Sequence, residues 1–175
     1  MKAKIILVAL LVLSACYHNT SDSYNDDGIC PQVQIARNTS YLTQYVKYKE
    51  TFQISIIGYE GRCYYEDSVD RYQAIIKPTF KIKRLTPSEE TDVRFSYYTE
   101  TYKLPTEDLG KKTYYLNAHI PQDKLEIEYQ APEVKVYIPT EKGTEYDVRL
   151  GLWQSPEEKL YNQRTFDINY RYINQ

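Results

Sequence analysis

The chain has 175 residues, with 22 basic and 24 acidic side chains and a formal charge of −2 at neutral pH. That length suits one domain with a sound core. The charges are interspersed, so no basic stripe points to nucleic acid or to an anionic membrane surface. In chain order, Lys2 and Lys4 come first, followed by an unbroken apolar run from Ile5 to Leu13. Such a run cannot span a bilayer, which takes about 20 apolar residues. A basic start, a short apolar run and the small pair Ser14-Ala15 have the form of a secretory signal, which is removed.

Leu13-Ser14-Ala15-Cys16 resembles the bacterial lipobox. The resemblance implies cleavage just before Cys16, transfer of a diacylglycerol to its thiol, and further acylation (palmitate, for example) of the new amino terminus. Two or more acyl chains give stable anchoring where one is marginal. The alternative is an ordinary signal cleaved elsewhere, with Cys16 free. In proteins with this signal, an aspartate after the cysteine often retains the chain at the inner membrane. Tyr17 stands there instead, which implies the outer membrane, facing the periplasm or the surface. The expected organisation is a signal over residues 1–15, the lipidated cysteine and a polar tether over 16–29, and a folded domain over 30–175. The tether is acidic and without periodicity, and coil of that length reaches roughly 20 Å.

From Cys30-Pro31 onward the dominant pattern is alternation with period two, the signature of half-buried strands. Val33 and Ile35 alternate, then Phe52, Ile54 and Ile56, before Gly58 and Gly61 break the run. Ala74, Ile76, Phe80 and Ile82 share one face of a longer segment, where Pro78 suggests an edge strand or a bulge. Val93, Phe95 and Tyr97 follow, then Tyr114, Leu116, Ala118 and Ile120. Leu125, Ile127 and Tyr129, then Val134, Val136 and Ile138, then Tyr146, Val148, Leu150 and Leu152 continue the series. Phe166, Ile168, Tyr170 and Tyr172 complete it as an expected last strand. Turn residues such as Pro87-Ser88, Pro121-Gln122-Asp123 and Gly143 punctuate the runs. Ser155-Pro156-Glu157-Glu158 has the form of a capping box with proline at the first helical position, so a short helical turn is expected near 155–161.

Eight or nine strands without alternating helices argue for an all-β, immunoglobulin-like antiparallel β-sandwich. Residues 143–150 resemble the start of a late strand in fibronectin type III and related immunoglobulin-like domains. The resemblance implies that Tyr146 forms a tyrosine corner, its hydroxyl bonded to backbone a few residues upstream.

The chain has three cysteines. With Cys16 lipidated, Cys30 and Cys63 remain for a disulfide in an export compartment; reduced thiols are the alternative. The expected position of Cys63 is just after the second strand, at the same end as Cys30.

Twenty tyrosines stand against four phenylalanines and one tryptophan. Tyrosine suits half-buried strand positions, and it also suits an aromatic binding surface. In the doublets Tyr97-Tyr98 and Tyr114-Tyr115, alternation turns Tyr98 and Tyr115 outward, and Tyr137 is outward between Val136 and Ile138. On neighbouring strands these three rings would form one platform for sugar or protein. A covering segment, or plain cross-strand pairing, is the simpler alternative.

Catalytic and metal-binding motifs are absent from the sequence: no G-x-S-x-G, P-loop or H-E-x-x-H occurs. His119 is the one histidine of the domain and falls on an outward strand face. Acidic pairs such as Glu89-Glu90, Glu107-Asp108 and Glu157-Glu158 fall in turns and are the only basis for a carboxylate hydrolase. No catalytic residue, metal ligand or cofactor is expected.

Residues 58–65, 96–101 and 162–170 resemble a family of uncharacterised lipoproteins of alphaproteobacteria. That resemblance implies an envelope location and one compact domain, without chemistry. The expectation is therefore a non-enzymatic envelope lipoprotein, anchored by lipid and partnered by envelope proteins or glycans. A carbohydrate-binding module is the alternative, and a hydrolase comes third.

Overall fold

A computed structural model describes residues 30–46, 49–87, 91–103, 107–139 and 146–173. Two sheets pack face to face as a β-sandwich. Sheet A has the order β1-β9-β5-β6, with β1 at Val33–Ile35, β9 at Asp147–Leu152, β5 at Asp92–Lys103 and β6 at Glu107–His119. Sheet B has the order β2-β3-β4, with β2 at Tyr41–Val46, β3 at Lys49–Glu66 and β4 at Arg71–Arg84. The far side of β4 is shared: β8 (Val134–Pro139) pairs with its first half and β7 (Glu126–Gln130) with its second. All pairings are antiparallel except β1 with β9, which is parallel. One helix, α1 at Pro156–Ile173, follows the last strand.

The core lies between the inner faces of the two sheets. Phe80 of β4 meets Phe95 and Tyr97 of β5 at ring-centroid distances of 5.1 and 5.3 Å. Around them Ile54, Ile76, Ile82, Leu150 and Leu152 are fully buried. These are the apolar members of the alternating series, so period two carried most of the fold. Burial of each such side chain is worth about 1.5–3 kcal/mol.

Four details differ from the expectation. β3 runs through Gly58 and Gly61 to Glu66, and Cys63 lies inside it, not after it. β2 is an additional strand that does not alternate, because the consecutive Leu42 and Thr43 are both buried; the register shift opposite Gln44 and Tyr45 leaves the extra residue, Thr51, on β3. Pro78 sits in a central strand, between β3 and the pair β7/β8. Its carbonyl accepts from Ala131 N, so its missing N–H faces the gap where β8 hands over to β7. The bulge lies on β3 instead, at the register shift between Ile56 and Gly58. Finally, Phe166 to Tyr172 belong to α1. The capping box forms as expected, with Glu158 N donating to Ser155 Oγ and Ser155 N donating to Glu158 Oε2. The helix it starts continues well beyond two turns.

The disulfide Cys30–Cys63 is formed, with Cα atoms 6.0 Å apart. It joins the segment leading into β1 to β3, and so clasps sheet A to sheet B. Tyr59 Oη donates to Val33 O at 2.9 Å beside it.

Candidate binding cleft at the open side of the sandwich

The tyrosines expected to form a platform fall in three different environments. Tyr98 faces away from the core, but it is covered and only 5% exposed. The 3-10 turn at Arg37–Thr39 lies on it, with Thr39 Oγ1 and Tyr98 Oη sharing a 2.9 Å hydrogen bond. Its ring lies over Gly151, where a Cβ would come within 2.5 Å of the Tyr98 hydroxyl and 2.2 Å of Thr39 Oγ1. Lys111 Nζ stands 3.5 Å from the ring centroid. Burial pushes the Tyr98 phenol pKa up. This residue is a structural contact, and the expected three-ring platform loses it.

Tyr115 and Tyr137 come together by an unexpected route. β6 is the last strand of sheet A, and β8 pairs only with β4 in sheet B. Between these two strands opens a cleft of about 650 Å³. That size falls within the range of small-ligand sites, about 300–1,000 Å³. Tyr115 projects from the outer face of β6 and is 84% exposed; Tyr137 projects from β8 and is 44% exposed. The two rings rim one cleft from different sheets and do not form a flat surface.

The floor is built by the inward residues of the same strands. Tyr114 pairs with Tyr97 across β6 and β5, and their rings stack at 4.9 Å. Tyr97 is 1% exposed, and burial, then its neighbours Tyr114 and Tyr129, push its pKa up. Leu116 and Val134 complete the apolar lining. Pro132 leads into β8, and Ala131 N is held by Pro78 O.

Lys112 lies on the inward face of β6 with Tyr114 and Leu116, and Glu133 and Lys135 line the cleft from the β8 side. Glu133 is held by Arg62 at 3.0 Å. Among the described residues neither lysine has a carboxylate partner; Lys112 Nζ stands 5.3 Å from the Tyr114 ring. The Arg71 guanidinium lies over the face of the Tyr137 ring, 3.8 Å from its centroid. The lining therefore offers a ligand aromatic surface, apolar contact and lysine charge. The lysines were not singled out from sequence, although Lys-Lys-Thr-Tyr-Tyr-Leu and Val-Lys-Val-Tyr-Ile interleave aromatic and basic residues on two strands.

The remaining candidates are placed as follows. Tyr146 precedes β9 and is 1% exposed, but residues 140–145, which would supply the backbone acceptor of a tyrosine corner, lie outside the described residues. His119 is exposed, with Nδ1 3.3 Å from Asp92 Oδ1. Glu158 serves the helix cap. Glu89-Glu90, and Cys16 with the whole signal and tether, lie outside the described residues. Among the described residues no group of three or more His, Cys, Asp or Glu could hold a metal ion, and no helix is long and apolar enough to cross a membrane. No family model, no curated protein and no solved structure matches the chain.

Proposed function

We propose that the chain is a non-enzymatic lipoprotein of the bacterial envelope that binds a protein partner in the cleft between β6 and β8. The N-terminal pattern supports the anchor: a basic start, nine apolar residues from Ile5 to Leu13, and a lipobox-like sequence ending in Cys16. Lipid on Cys16 would hold the domain at a membrane, with Tyr17 favouring the outer one. Labelling cells with palmitate tests this: the label is expected on the wild-type chain and absent from Cys16→Ser. Equal labelling of both would refute the anchor.

The observation that carries the binding reading is the pair of strand edges, unpaired among the described residues, that line one cleft with an apolar floor. Exposed edges are liabilities that folded proteins usually cover. A photo-crosslinking residue at Tyr115 or Tyr137 is expected to capture a discrete envelope protein in cells. A control at Val69, exposed in the β3–β4 turn, is expected to capture none. The same yield from all three positions would count against the cleft.

A second reading, glycan binding, has its own observation. Trp153 N donates to Ser96 O, and Ser96 pairs with Tyr115, so Trp153 and Tyr115 flank Ser96 on the outer face of sheet A. Both rings are at least half exposed and stand two strands apart, about 10 Å. Glycan retention that survives Trp153→Ala together with Tyr115→Ala would eliminate this reading.

A further inference from the structure

Lipid on Cys16 would also decide which end of the domain faces the membrane. Residues 17–29 separate Cys16 from Cys30, and as coil they average roughly 20 Å. The disulfide holds Cys30 against Cys63 of β3, with Cα atoms 6.0 Å apart. From Cys63 to the end of β3 at Glu66 is about 10 Å of strand. The opposite end of the sandwich is much farther away. β4 runs from Arg71, paired with Glu66, to Arg84, which is roughly 40 Å of strand. Leu125 lies at that far end, where its carbonyl accepts from Arg84 N. The tether is shorter than this span, so it keeps the end of the β3–β4 hairpin nearer the lipid.

That end carries exposed apolar surface. Tyr64 and Tyr65 follow Cys63 and, by alternation, face opposite sides of β3, yet each is 40% exposed. Val69, 50% exposed, closes the 3-10 turn Asp67–Val69, and Asp70 at φ 49° turns the chain back into β4. Tyr64 Oη donates to Gln73 Oε1, and Tyr65 Oη donates to Asp70 Oδ1 at 2.6 Å. The rings can therefore meet an interface without leaving a hydroxyl unpaired. Tyrosine suits the headgroup level of a bilayer, where its ring is apolar on one part and wet on the other. We infer that Tyr64, Tyr65 and Val69 rest on the interface of the bilayer that holds the lipid of Cys16. The inference rests on the anchor reading above. Residues 66–71 include three acids and one base, so attraction to anionic lipid does not drive the contact.

The test uses the full lipidated chain on phosphatidylcholine vesicles. A nitroxide is attached at Ser68→Cys in the turn, or at Leu125→Cys, which is 73% exposed at the far end. With Cys16 acylated and the disulfide closed, the introduced cysteine is the one free thiol. Collisions with oxygen, which concentrates in the bilayer, and with a water-soluble nickel chelate report the surroundings of each label. The oxygen-to-nickel ratio at position 68 is expected to rise above that of the unanchored Cys16→Ser chain, and the ratio at position 125 to stay the same. Adding Tyr65→Ser with Val69→Asp is expected to abolish the rise while the chain still floats with the vesicles. The melting temperature of that variant checks that it is folded. A rise that survives these substitutions overturns the role of the two side chains. No rise at position 68 in an anchored chain overturns the docking and leaves the anchor standing. A chain that takes no palmitate overturns the anchor, and the inference with it. A rise that needs added phosphatidylglycerol overturns the aromatic contact in favour of a charged one. A discrete protein captured by a photo-crosslinking residue at Val69 in cells overturns the bilayer as the occupant.

Discussion

The two long sides of the sandwich are built in opposite ways. On one side lie β2, the second half of β3, and β1. There α1 covers β2: the Tyr41 carbonyl accepts from Gln154 Nε2 at 2.7 Å, and the Tyr41 hydroxyl donates to Asn162 O. Tyr161 stands edge-on to Tyr45 at 4.9 Å and donates to Glu50. Further along, Cys30–Cys63 and the Tyr59–Val33 hydrogen bond draw β1 and β3 together. On the other side β6 and β8 face each other across a cleft with no comparable cover among the described residues. The chain thus holds three devices for sealing a sheet edge, namely a helix, a disulfide and phenol-to-backbone bonds. All three are used on the same side. The side without them is lined with aromatic rings and lysines, and that contrast is the basis for proposing it as the binding surface.

Alkali is expected to act most strongly, and through the sealed side and core. Tyr45, Tyr59, Tyr97 and Tyr98 all have pKa values raised by burial. For Tyr45 the neighbouring Tyr161 and Glu50 add to the effect of burial. The unfolded phenol titrates near pH 10. A folded pKa above the unfolded one contributes stability that is complete below about pH 10 and lost as the pH rises through the folded values. Thermal unfolding followed from pH 8 to 12 is expected to show a flat melting temperature and then a fall above about pH 10. A melting temperature that stays flat up to pH 12 would contradict this.

Reducing the disulfide comes next. Closing its loop is worth roughly 3–4 kcal/mol in the chain-entropy model. Urea unfolding with and without reductant measures the difference. A loss under about 1 kcal/mol would mean that the seal does not depend on the clasp. Gly151→Ala is expected to cost about 1–3 kcal/mol, because its Cβ would strike Thr39 and the Tyr98 hydroxyl. Ser155→Ala removes the reciprocal cap of α1, at about 1 kcal/mol. The smallest effect belongs to the open side. Tyr115→Ala is expected to change stability by no more than about 0.5 kcal/mol, since that ring is 84% exposed. A cost of about 2 kcal/mol or more there would mean that Tyr115 supports the fold.

Most of the sheet structure was legible because period two is imposed by the geometry of a strand with one buried face. It failed where that geometry is interrupted. β2 hides because Leu42 and Thr43 are both buried, which breaks period two, and Gly58 and Gly61 read as an end although β3 continues past them. At the C-terminus, four residues at alternating positions imitate a strand, while the decisive signal lies upstream in Ser155 and Glu158, which nucleate a helix that runs on. Facing direction was legible for Tyr98, but its burial was not, because burial depends on where Arg37–Thr39 comes to rest. Tyr115 and Tyr137 were both read as outward. That they share a cleft follows from the strand order, which no local pattern encodes.

Amide hydrogen exchange on the full chain, with and without the envelope protein captured at Tyr115 or Tyr137, tests the contrast between the two sides most directly. The expected result is slower exchange along β6 and β8 on adding that protein, with β1 and β2 unchanged. Protection gained at β2, or at neither side, would contradict the proposal that the open side is the binding surface.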